Sequence, residues 1–232
     1  MNSNRNSLGY TRFLLIILVL IYCVSCRDTS DKFEDGKVAI SPIFKKIDPS
    51  QSGILFSNNV EENYQRNYFD TFAYVYNGAG VATGDINNDG LMDIYFAGNE
   101  VPNKLYLNMG GMKFKDITES AGVGGGPGWD NGVTFIDINN DGWLDIYVCR
   151  GGFRDTDAER RNLLFVNNGK LGFSEEAMKY GLDDDGYSIH AAFFDMDNDN
   201  DLDMYLTARP DSFYLGLSRI CLLYTSPSPR DS

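Results

Sequence analysis

The chain has little of what several classes of protein depend on. Its 232 residues include four cysteines and one histidine, and 20 basic residues face 33 acidic ones, for a formal net charge of −13. The cysteines form no evenly spaced set, so we expect no disulfide framework. Because a phosphate backbone is bound through basic patches, the sequence also predicts no nucleic-acid partner.

Long apolar runs are scarce as well. The longest, Phe13–Val24, contains 12 residues, whereas a membrane-spanning helix needs about 20. It follows a polar segment that carries Arg5 and Arg12, a layout typical of a secretory signal, here residues 1–25. The residues before Cys26 resemble a bacterial lipoprotein cleavage site, so we expect lipidation of Cys26 and anchoring of the mature protein in the membrane. An ordinary signal peptide cut nearby is the alternative.

Two further segments lack any repeat pattern. Residues 26–36 are polar and acid-rich, which is typical of a flexible tether. Residues 219–232, which end in ICLLYTSPSPRDS, show neither loop nor strand alternation. This tail resembles translated sequencing-adapter sequence, and a genuine disordered tail is the alternative. We therefore expect ordered structure over residues 37–218 and a natural protein that is longer.

What the sequence does contain is a nine-residue acidic loop, present three times. The copies DINNDGLMD, DINNDGWLD and DMDNDNDLD begin at Asp85, Asp137 and Asp195, and an apolar segment follows each. Oxygen-bearing side chains stand at positions 1, 3, 5 and 9 of every copy. This spacing suits calcium, with the carbonyl of position 7 and a water completing the shell. Solvated Asp/Asn turns are the alternative, and three copies in one register weigh against it.

Position 6 of the loop needs an unusual backbone conformation. Gly90 and Gly142 adopt such a conformation without strain, and Asn200 is among the few other residues that tolerate it. An EF-hand would carry a glutamate at position 12, where Phe96, Val148 and another apolar residue stand here. The loop is therefore expected to lead into a strand rather than a helix.

The spacing of the loops predicts repeated units of short strands. The loops start 52 and 58 residues apart, so each repeat is expected to be one supersecondary unit. Alternating apolar residues bounded by turn residues predict the strands Gly80–Thr83, Asp93–Ala97, Lys104–Leu107 and Phe114–Thr118, then Ile146–Cys149, Leu163–Val166 and Phe173–Glu175. A short helical turn is expected near residues 175–180. Four strands per unit are typical of the blade of a β-propeller.

A second, shorter sequence pattern that repeats indicates where each structural unit begins. Phe114–Ile117 leads to Ala121-Gly122-Val123, and Phe44–Ile47 leads in the same way to Ser52-Gly53-Ile54. We therefore predict that Phe44–Ile47 is the last strand of a blade whose other strands come from the C-terminal side. Residues 37–218 suffice for about three blades, whereas propellers have about four to eight. The prediction is an incomplete propeller, monomeric when full length.

The segments GVATGDINNDGLMDIYFAGN, NKLYLN and FKDITESAGV closely resemble the FG-GAP/VCBS repeat proteins. These include bacterial lipoproteins of the ASPIC/UnbV, or cartilage-acidic-protein-like, group and, more distantly, the integrin α head. The resemblance covers about residues 44–210. It implies an all-β fold, an incomplete β-propeller of four-stranded blades with calcium-binding loops. The region that names the ASPIC/UnbV group would lie C-terminal to this chain.

The resemblance also implies a set of calcium ligands in each loop, position by position. In the first loop they are Asp85, Asn87, Asp89, the Leu91 carbonyl and Asp93; in the second Asp137, Asn139, Asp141, the Trp143 carbonyl and Asp145; in the third Asp195, Asp197, Asp199, the Asp201 carbonyl and Asp203. The third loop departs from the pattern by Asn200 at position 6 and by an additional aspartate, Asp201, at position 7.

The function expected from these features is that of a calcium-binding lipoprotein of the bacterial cell envelope, on the outer membrane. It would act as a binding, adhesion or scaffold module for a protein or glycan ligand. The alternative is the propeller domain of a polysaccharide-degrading enzyme of the lyase type. No Ser/His/Asp elbow, phosphate-binding loop or Cys/His cluster is present, so we do not predict an enzyme.

A few residues outside the loops are further candidates for a functional role. His190 is interpreted as a core or turn histidine, and Cys149 as a small buried hydrophobe. Trp129 and Tyr187 adjoin glycine-rich turns and are candidates for contact with a sugar or peptide; the alternative is that they only pack, as aromatic residues near blade turns often do. Asp183–Gly186 is interpreted as an acidic turn rather than a further cation site.

Overall fold

The computed structural model describes residues 43–62, 64, 74–152, 156–209 and, for the backbone only, 221–224. The predicted signal sequence, the lipidation residue Cys26 and the tether 26–36 lie outside the described residues. The chain forms two compact units, residues 1–46 and 47–232. Of the first unit only residues 43–46 are described, a bend with exposed Ile43 and Phe44 side chains. No helix among the described residues has the length and apolar character to cross a membrane.

The second unit contains three antiparallel sheets in which strands adjacent in sequence pair with each other. The first sheet has the order β1 (Val81–Gly84), β2 (Asp93–Phe96), β3 (Lys104–Asn108) and β4 (Phe114–Asp116). The second has the order β5 (Asp130–Ile136), β6 (Asp145–Arg150), β7 (Leu163–Asn167) and β8 (Phe173–Glu175). The third joins β9 (Ser188–Phe194), β10 (Asp203–Ala208) and β11 (Cys221–Tyr224). The expectation of an all-β fold built from short strands is confirmed.

Each acidic loop connects the first two strands of its sheet. The pairing ends at Gly84 with Asp93, at Ile136 with Asp145 and at Phe194 with Asp203. The loop therefore closes an antiparallel hairpin, and its ninth residue is the first residue of the following strand. The three sheets do not form a closed ring within the part of the chain that is described.

Four one-turn helices occur among the described residues, one ahead of β1 and three between strands. They are α1 (Pro49–Ser52), α2 (Thr118–Ala121), α3 (Asp157–Arg160) and α4 (Ala177–Tyr180). A glycine with a left-handed backbone ends α1, α2 and α4, at Gly53 (φ 78°), Gly122 (φ 77°) and Gly181 (φ 69°). This conformation satisfies the last carbonyls of the turn and favours glycine. The helical turn expected near residues 175–180 is confirmed.

The predicted strand Phe44–Ile47 is wrong. These residues form no strand, and the Phe44 side chain is 89% exposed. Within the described chain these residues belong to no sheet, and an unpaired strand would leave its backbone groups without partners. Of the pattern shared with residues 114–123, only the helical turn that ends at a glycine occurs here, as α1. Likewise, the predicted strand Phe114–Thr118 ends at Asp116, whose carboxylate accepts from the backbone N–H of Thr118 at 3.0 Å and so starts α2.

The tail also differs from the expectation of no strand. The backbone of Cys221–Tyr224 pairs with β10, from Met204 opposite Tyr224 to Thr207 opposite Cys221. β10 has an apolar, strand-forming sequence and a free edge on the side away from β9, so the four residues complete its hydrogen bonds. The remaining residues of the tail lie outside the described chain.

The core lies between successive sheets, and β6 contributes to it on both faces. Ile146 and Val148 belong to the cluster that the first and second sheets share, and Tyr147 and Cys149 to the cluster shared with the third sheet. Side chains of a strand alternate between faces, so one buried strand supplies two cores. Cys149 is 1% exposed, which confirms its interpretation as a buried hydrophobe.

Candidate metal centre

The first two loops fold through hydrogen bonds from their own backbone to their own carboxylates. Asp85 accepts from the N–H of Asp89 (3.1 Å) and Gly90 (2.7 Å), and Asp89 accepts from Leu91 (2.8 Å). The second loop repeats each bond: Asp137 accepts from Asp141 (3.0 Å) and Gly142 (2.9 Å), and Asp141 from Trp143 (2.9 Å). The carboxylates at positions 1 and 5 therefore shape the turn itself.

The unusual backbone expected at position 6 is confirmed. Gly90 and Gly142 have φ of 84° and 86°, and Asn200 has φ of 69°. Position 4 of every loop is also left-handed, with φ of 57° at Asn88, 56° at Asn140 and 63° at Asn198. Asparagine tolerates this region better than most residues. The repeated Asn at position 4 was the sequence signal for this feature, which the sequence analysis missed.

The asparagine at position 3 makes two contacts inside its loop. Asn87 accepts from the N–H of Asp89 at 3.2 Å through its side-chain oxygen, and its amide donates to Asp89 Oδ2 at 3.0 Å. Asn139 makes the same pair of bonds to Asp141, at 3.1 and 2.9 Å. The amide thus bridges two predicted ligand positions in each of the first two loops.

The aspartate at position 9 is buried and ties the loop to a third strand. Asp93 accepts from the N–H of Ile86 (3.0 Å) and of Asn108 at the end of β3 (2.7 Å). Asp145 accepts from Ile138 (3.0 Å) and Asn167 (2.7 Å) in the same way. Burial raises the pKa of Asp93, and it raises the pKa of Asp145 to about 6, although these hydrogen bonds act in the opposite direction.

In the third loop the acidic side chains converge. Carboxylate oxygens of Asp195, Asp197 and Asp203 lie within 4.8 Å of one another, and so do those of Asp197, Asp199 and Asp201. Among the described residues, only this loop brings three carboxylates so close. Asp195 accepts from the N–H of Asn198 (2.7 Å) and two following residues, and Asp203 accepts from Met196 (2.8 Å).

One oxygen of the third loop is buried without a partner. Asp201 Oδ2 accepts no hydrogen bond and is shielded from solvent, the one such side-chain atom in the described chain. The interaction of its carboxyl group with that of Asp199, followed by burial, raises the pKa of Asp201 to about 6. Burial and the Asp199 charge raise the pKa of Asp197 as well. Asp201 was predicted to contribute its carbonyl, and the structure brings its side chain to the cluster too.

The donor set fits a hard divalent cation. Every predicted side-chain ligand is an oxygen donor, and an unpartnered buried carboxylate oxygen beside other carboxylates is what a cation would satisfy. In the first two loops the predicted side chains share one turn, but their oxygens are engaged by backbone N–H groups or by the position 3 amide. Of the position 7 residues there, Leu91 is exposed and Trp143 half-buried.

The first and second loops are also connected directly. The side-chain amide of Asn88 donates to the carbonyl of Gly142 at 3.0 Å, and that of Asn167 donates to the carbonyl of Ile86 at 2.9 Å. Asn140, which matches Asn88, makes no corresponding side-chain bond to the third loop, although both loops are described in full. No single-repeat motif signals this contact, because it joins residues 54 positions apart.

The structure corrects two interpretations outside the loops. His190 is exposed on β9 and is therefore not a core histidine. Trp129 is 6% exposed and packs with Val75, so its ring does not face solvent. Tyr187 is half-buried, with the guanidinium groups of Arg160 at 4.8 Å and Arg209 at 4.2 Å from its ring centre.

The acidic turn at residues 183–186 is held by protein contacts. Arg161 pairs with Asp183 and lies 3.7 Å from Asp185, and Asp184 accepts from the N–H of Gly186 at 3.0 Å. These contacts agree with the interpretation of the segment as an acidic turn.

The region of the first two loops matches a known class of repeat. Residues 85–148 match the FG-GAP-like repeat, so the class that the sequence resemblance indicated is confirmed. The matched region contains the first two loops, and the third loop repeats their oxygen pattern after it.

The particular relatives are cartilage acidic protein 1 of three species. The chain is 31% identical to the Xenopus tropicalis protein over 155 residues, which is 66% of this chain and 22% of that protein. Identity with the Mus musculus protein is 32%, and with the Homo sapiens protein 31%, over 129 residues, in each case 55% of this chain and 19% of the relative. The chain therefore spans about a fifth of the length of these relatives.

Proposed function

We propose that the chain is a calcium-stabilised binding module of a bacterial cell-envelope lipoprotein. The observation that carries the calcium assignment is the third loop, where two overlapping groups of three carboxylates lie within 4.8 Å and one buried oxygen has no partner. The same oxygen pattern recurs in the two loops of the FG-GAP-like repeat.

The ligand residues have a structural task in this proposal. They close the hairpin between the first two strands of each sheet, and at positions 1, 5 and 9 they hold the loop backbone through hydrogen bonds. Bound calcium would supply the positive charge that offsets repulsion among the carboxylates. The residues of the third loop would gain most, because five acids stand there within nine positions.

A calcium titration of the purified chain tests this assignment. Asp199→Asn should remove one bound calcium or weaken its binding at least tenfold, because the variant replaces one carboxylate of the cluster. Glu119→Gln makes the same charge change on exposed residue 119 of α2 and should leave calcium binding unchanged. A calcium stoichiometry and affinity unaffected by Asp199→Asn would contradict the assignment.

The binding role follows from the repeat architecture. FG-GAP-like repeats and the likeness to cartilage acidic protein 1 support a repeat-based binding module. Successive sheets that pack face to face through shared cores are what neighbouring propeller blades require, so we infer a partial β-propeller. The proposed ligand is a glycan or a protein, and the proposed role is binding or adhesion rather than catalysis.

The envelope location rests on Cys26 and the residues before it. Cys26→Ala should leave the precursor unprocessed or shift the protein from the membrane to the soluble fraction, whereas Cys149→Ala, which removes a buried cysteine elsewhere, should not. Mass spectrometry of the N-terminal peptide is the measurement. An unmodified N-terminus at another residue would contradict lipidation.

A further inference from the structure

The two interfaces between successive sheets are built alike. The hydroxyl of Tyr95 on β2 donates to the carbonyl of Val123 at 2.7 Å, and that of Tyr147 on β6 donates to the carbonyl of Leu182 at 2.8 Å. Both tyrosines are 0% exposed. Val123 and Leu182 each stand two residues after a one-turn helix, α2 or α4, and each packs in the core shared with the next sheet. A buried tyrosine of one sheet therefore holds the segment that leads to the next sheet.

The third sheet carries the same tyrosine, but on a face that is exposed. Tyr205 follows the start of its loop by ten residues, as Tyr95 and Tyr147 do, and it is 41% exposed. Met196 is 47% exposed, whereas the matching Ile86 is 1% exposed. We call this surface the outer face of the third sheet, and its exposed apolar residues are Phe194, Met196 and Tyr205. The match to the first two sheets indicates that the outer face is suited to packing against a further sheet.

The first sheet presents the opposite half of such an interface. Val81, Met92 and Met112 are 55%, 59% and 54% exposed, and we call them the front face of the first sheet. The residues at the same positions of the second sheet pack against the core shared with the first sheet; they are Val133, Leu144 and Leu171. In the second sheet this face meets the tyrosine-bearing face of the sheet before it. The front face of the first sheet is therefore suited to the same kind of partner.

The segment ahead of the first sheet completes the front face. Ile54 stands two residues after α1, just as the acceptor residues of the two internal interfaces stand after α2 and α4. α1 and α2 also lie alike against the last strand of the sheet that follows them. A Cβ at Gly53 would be 2.6 Å from the carbonyl oxygen of Phe114, and one at Gly122 would be 3.6 Å from that of Phe173. The Ile54 carbonyl is therefore the counterpart of the carbonyls that accept from the two buried tyrosines.

We propose that the outer face of the third sheet binds the front face of the first sheet in a second copy of this chain. The hydroxyl of Tyr205 donates to the Ile54 carbonyl of the second copy, as the matching tyrosines do inside the chain. The contact reuses an interface that the chain forms twice, so the two faces already match in shape and apolar character. Made twice around a two-fold axis, it closes two copies into a ring of six sheets, a number within the range of propellers.

One residue of the third sheet weakens this contact. Gly80 and Gly132 stand five residues before their loops. A Cβ at Gly80 would lie 3.0 Å from the Cα of Gly132, and a Cβ at Gly132 would lie 2.9 Å from the Cα of His190. The first strands of successive sheets approach so closely because glycine stands at this position. The third sheet has the exposed His190 there instead, so its side chain holds the first strand of the second copy further away.

Analytical ultracentrifugation of the 232-residue chain tests the proposal, with a dimer as the expected species. Val81→Lys on the front face and Tyr205→Lys on the outer face should each raise the dimer Kd at least tenfold, and Tyr205→Phe, which removes only the hydroxyl, should raise it several-fold. Met178→Lys, at a 73% exposed position of α4, should not change it. His190→Gly should lower the Kd several-fold, because the first strands can then approach.

Mixing the Val81→Lys and Tyr205→Lys variants distinguishes this contact from other modes of association. The mixture should form dimers more tightly than either variant alone, because one of its two contacts joins two unchanged faces. A monomer at all protein concentrations would overturn the proposal and leave both faces to sheets of the same chain. Association through the apolar run at residues 13–24 would overturn it as well, and neither lysine variant would then weaken the dimer. A His190→Gly dimer no tighter than the wild type would contradict the role of the imidazole.

Discussion

The first two acidic loops differ from the third in what surrounds their crowded carboxylates. In the first two, the position 3 amide bonds the position 5 carboxylate, and position 9 accepts two backbone N–H groups. In the third, Asp197 replaces that amide and Asp201 adds a further carboxylate. Hydrogen bonds therefore offset part of the carboxylate repulsion in the first two loops, while the third gathers more charge, which in our proposal a calcium ion would offset.

The third loop is also less firmly attached to its sheet. Asp203 accepts from Met196, but within the described chain it has no second backbone donor like the N–H of Asn108 or Asn167. At position 1, Asp195 is exposed, whereas Asp85 and Asp137 are half-buried. The comparison shows that one nine-residue pattern closes the hairpin in all three loops, and that the third loop is where our proposal expects the strongest calcium binding.

The largest effect should come from the buried aspartate at position 9. Asp145→Ala leaves the N–H groups of Ile138 and Asn167 without acceptors, at a cost of about 2–4 kcal/mol in the free energy of unfolding. Asp203→Ala removes one such bond and should cost about half as much. Urea unfolding with a calcium chelator measures both. Equal losses in the two variants would mean that the loops do not differ in attachment.

Most of this structural logic was accessible from the sequence, because loop, strand and turn signals repeat at fixed positions. The all-β class, seven of the eight strands in the first two sheets and the left-handed residue at position 6 all follow from local rules, whereas β5 was not predicted. The two hydrogen bonds that Asp93 accepts and the Asn88 contact between loops do not follow from local rules. They join residues far apart in sequence, and they depend on how the sheets stack.

Removing calcium should have the next largest effect, and it should act mainly through the third loop. Modules of this kind bind calcium at about 10⁻⁴–10⁻³ M, so a tenfold excess over Kd adds about 1.4 kcal/mol per site. Chelation should lower Tm by roughly 3–6 °C per occupied site. Asp199→Asn should reduce this difference in Tm more than Asp89→Asn, because the third loop holds the denser charge. A larger reduction from Asp89→Asn would reverse the comparison.

A smaller effect, of opposite sign with and without calcium, is expected at Asp201. Asp201→Asn removes a carboxyl group that meets Asp199, so the variant should melt slightly higher than the wild type in chelator. In calcium it should melt lower, because a candidate ligand oxygen with its charge is lost. Differential scanning calorimetry in both buffers gives the two signs. The same sign in both would show that Asp201 does not serve a cation.

The smallest effect concerns the connection between the first two loops. Asn88→Gly removes the amide that donates to the Gly142 carbonyl, and Asn140→Gly removes the matching side chain, which makes no bond to the third loop. Both residues are exposed and have left-handed backbones, φ 57° and 56°, so glycine fits each position and the backbone contributions should cancel. Asn88→Gly should therefore cost about 0.5 kcal/mol more than Asn140→Gly in the free energy of unfolding. Urea unfolding of the two variants, each measured repeatedly in chelator, resolves a difference of this size. If Asn140→Gly proves equally or more costly, the contact between the first two loops adds nothing to stability, and each loop closes its hairpin independently.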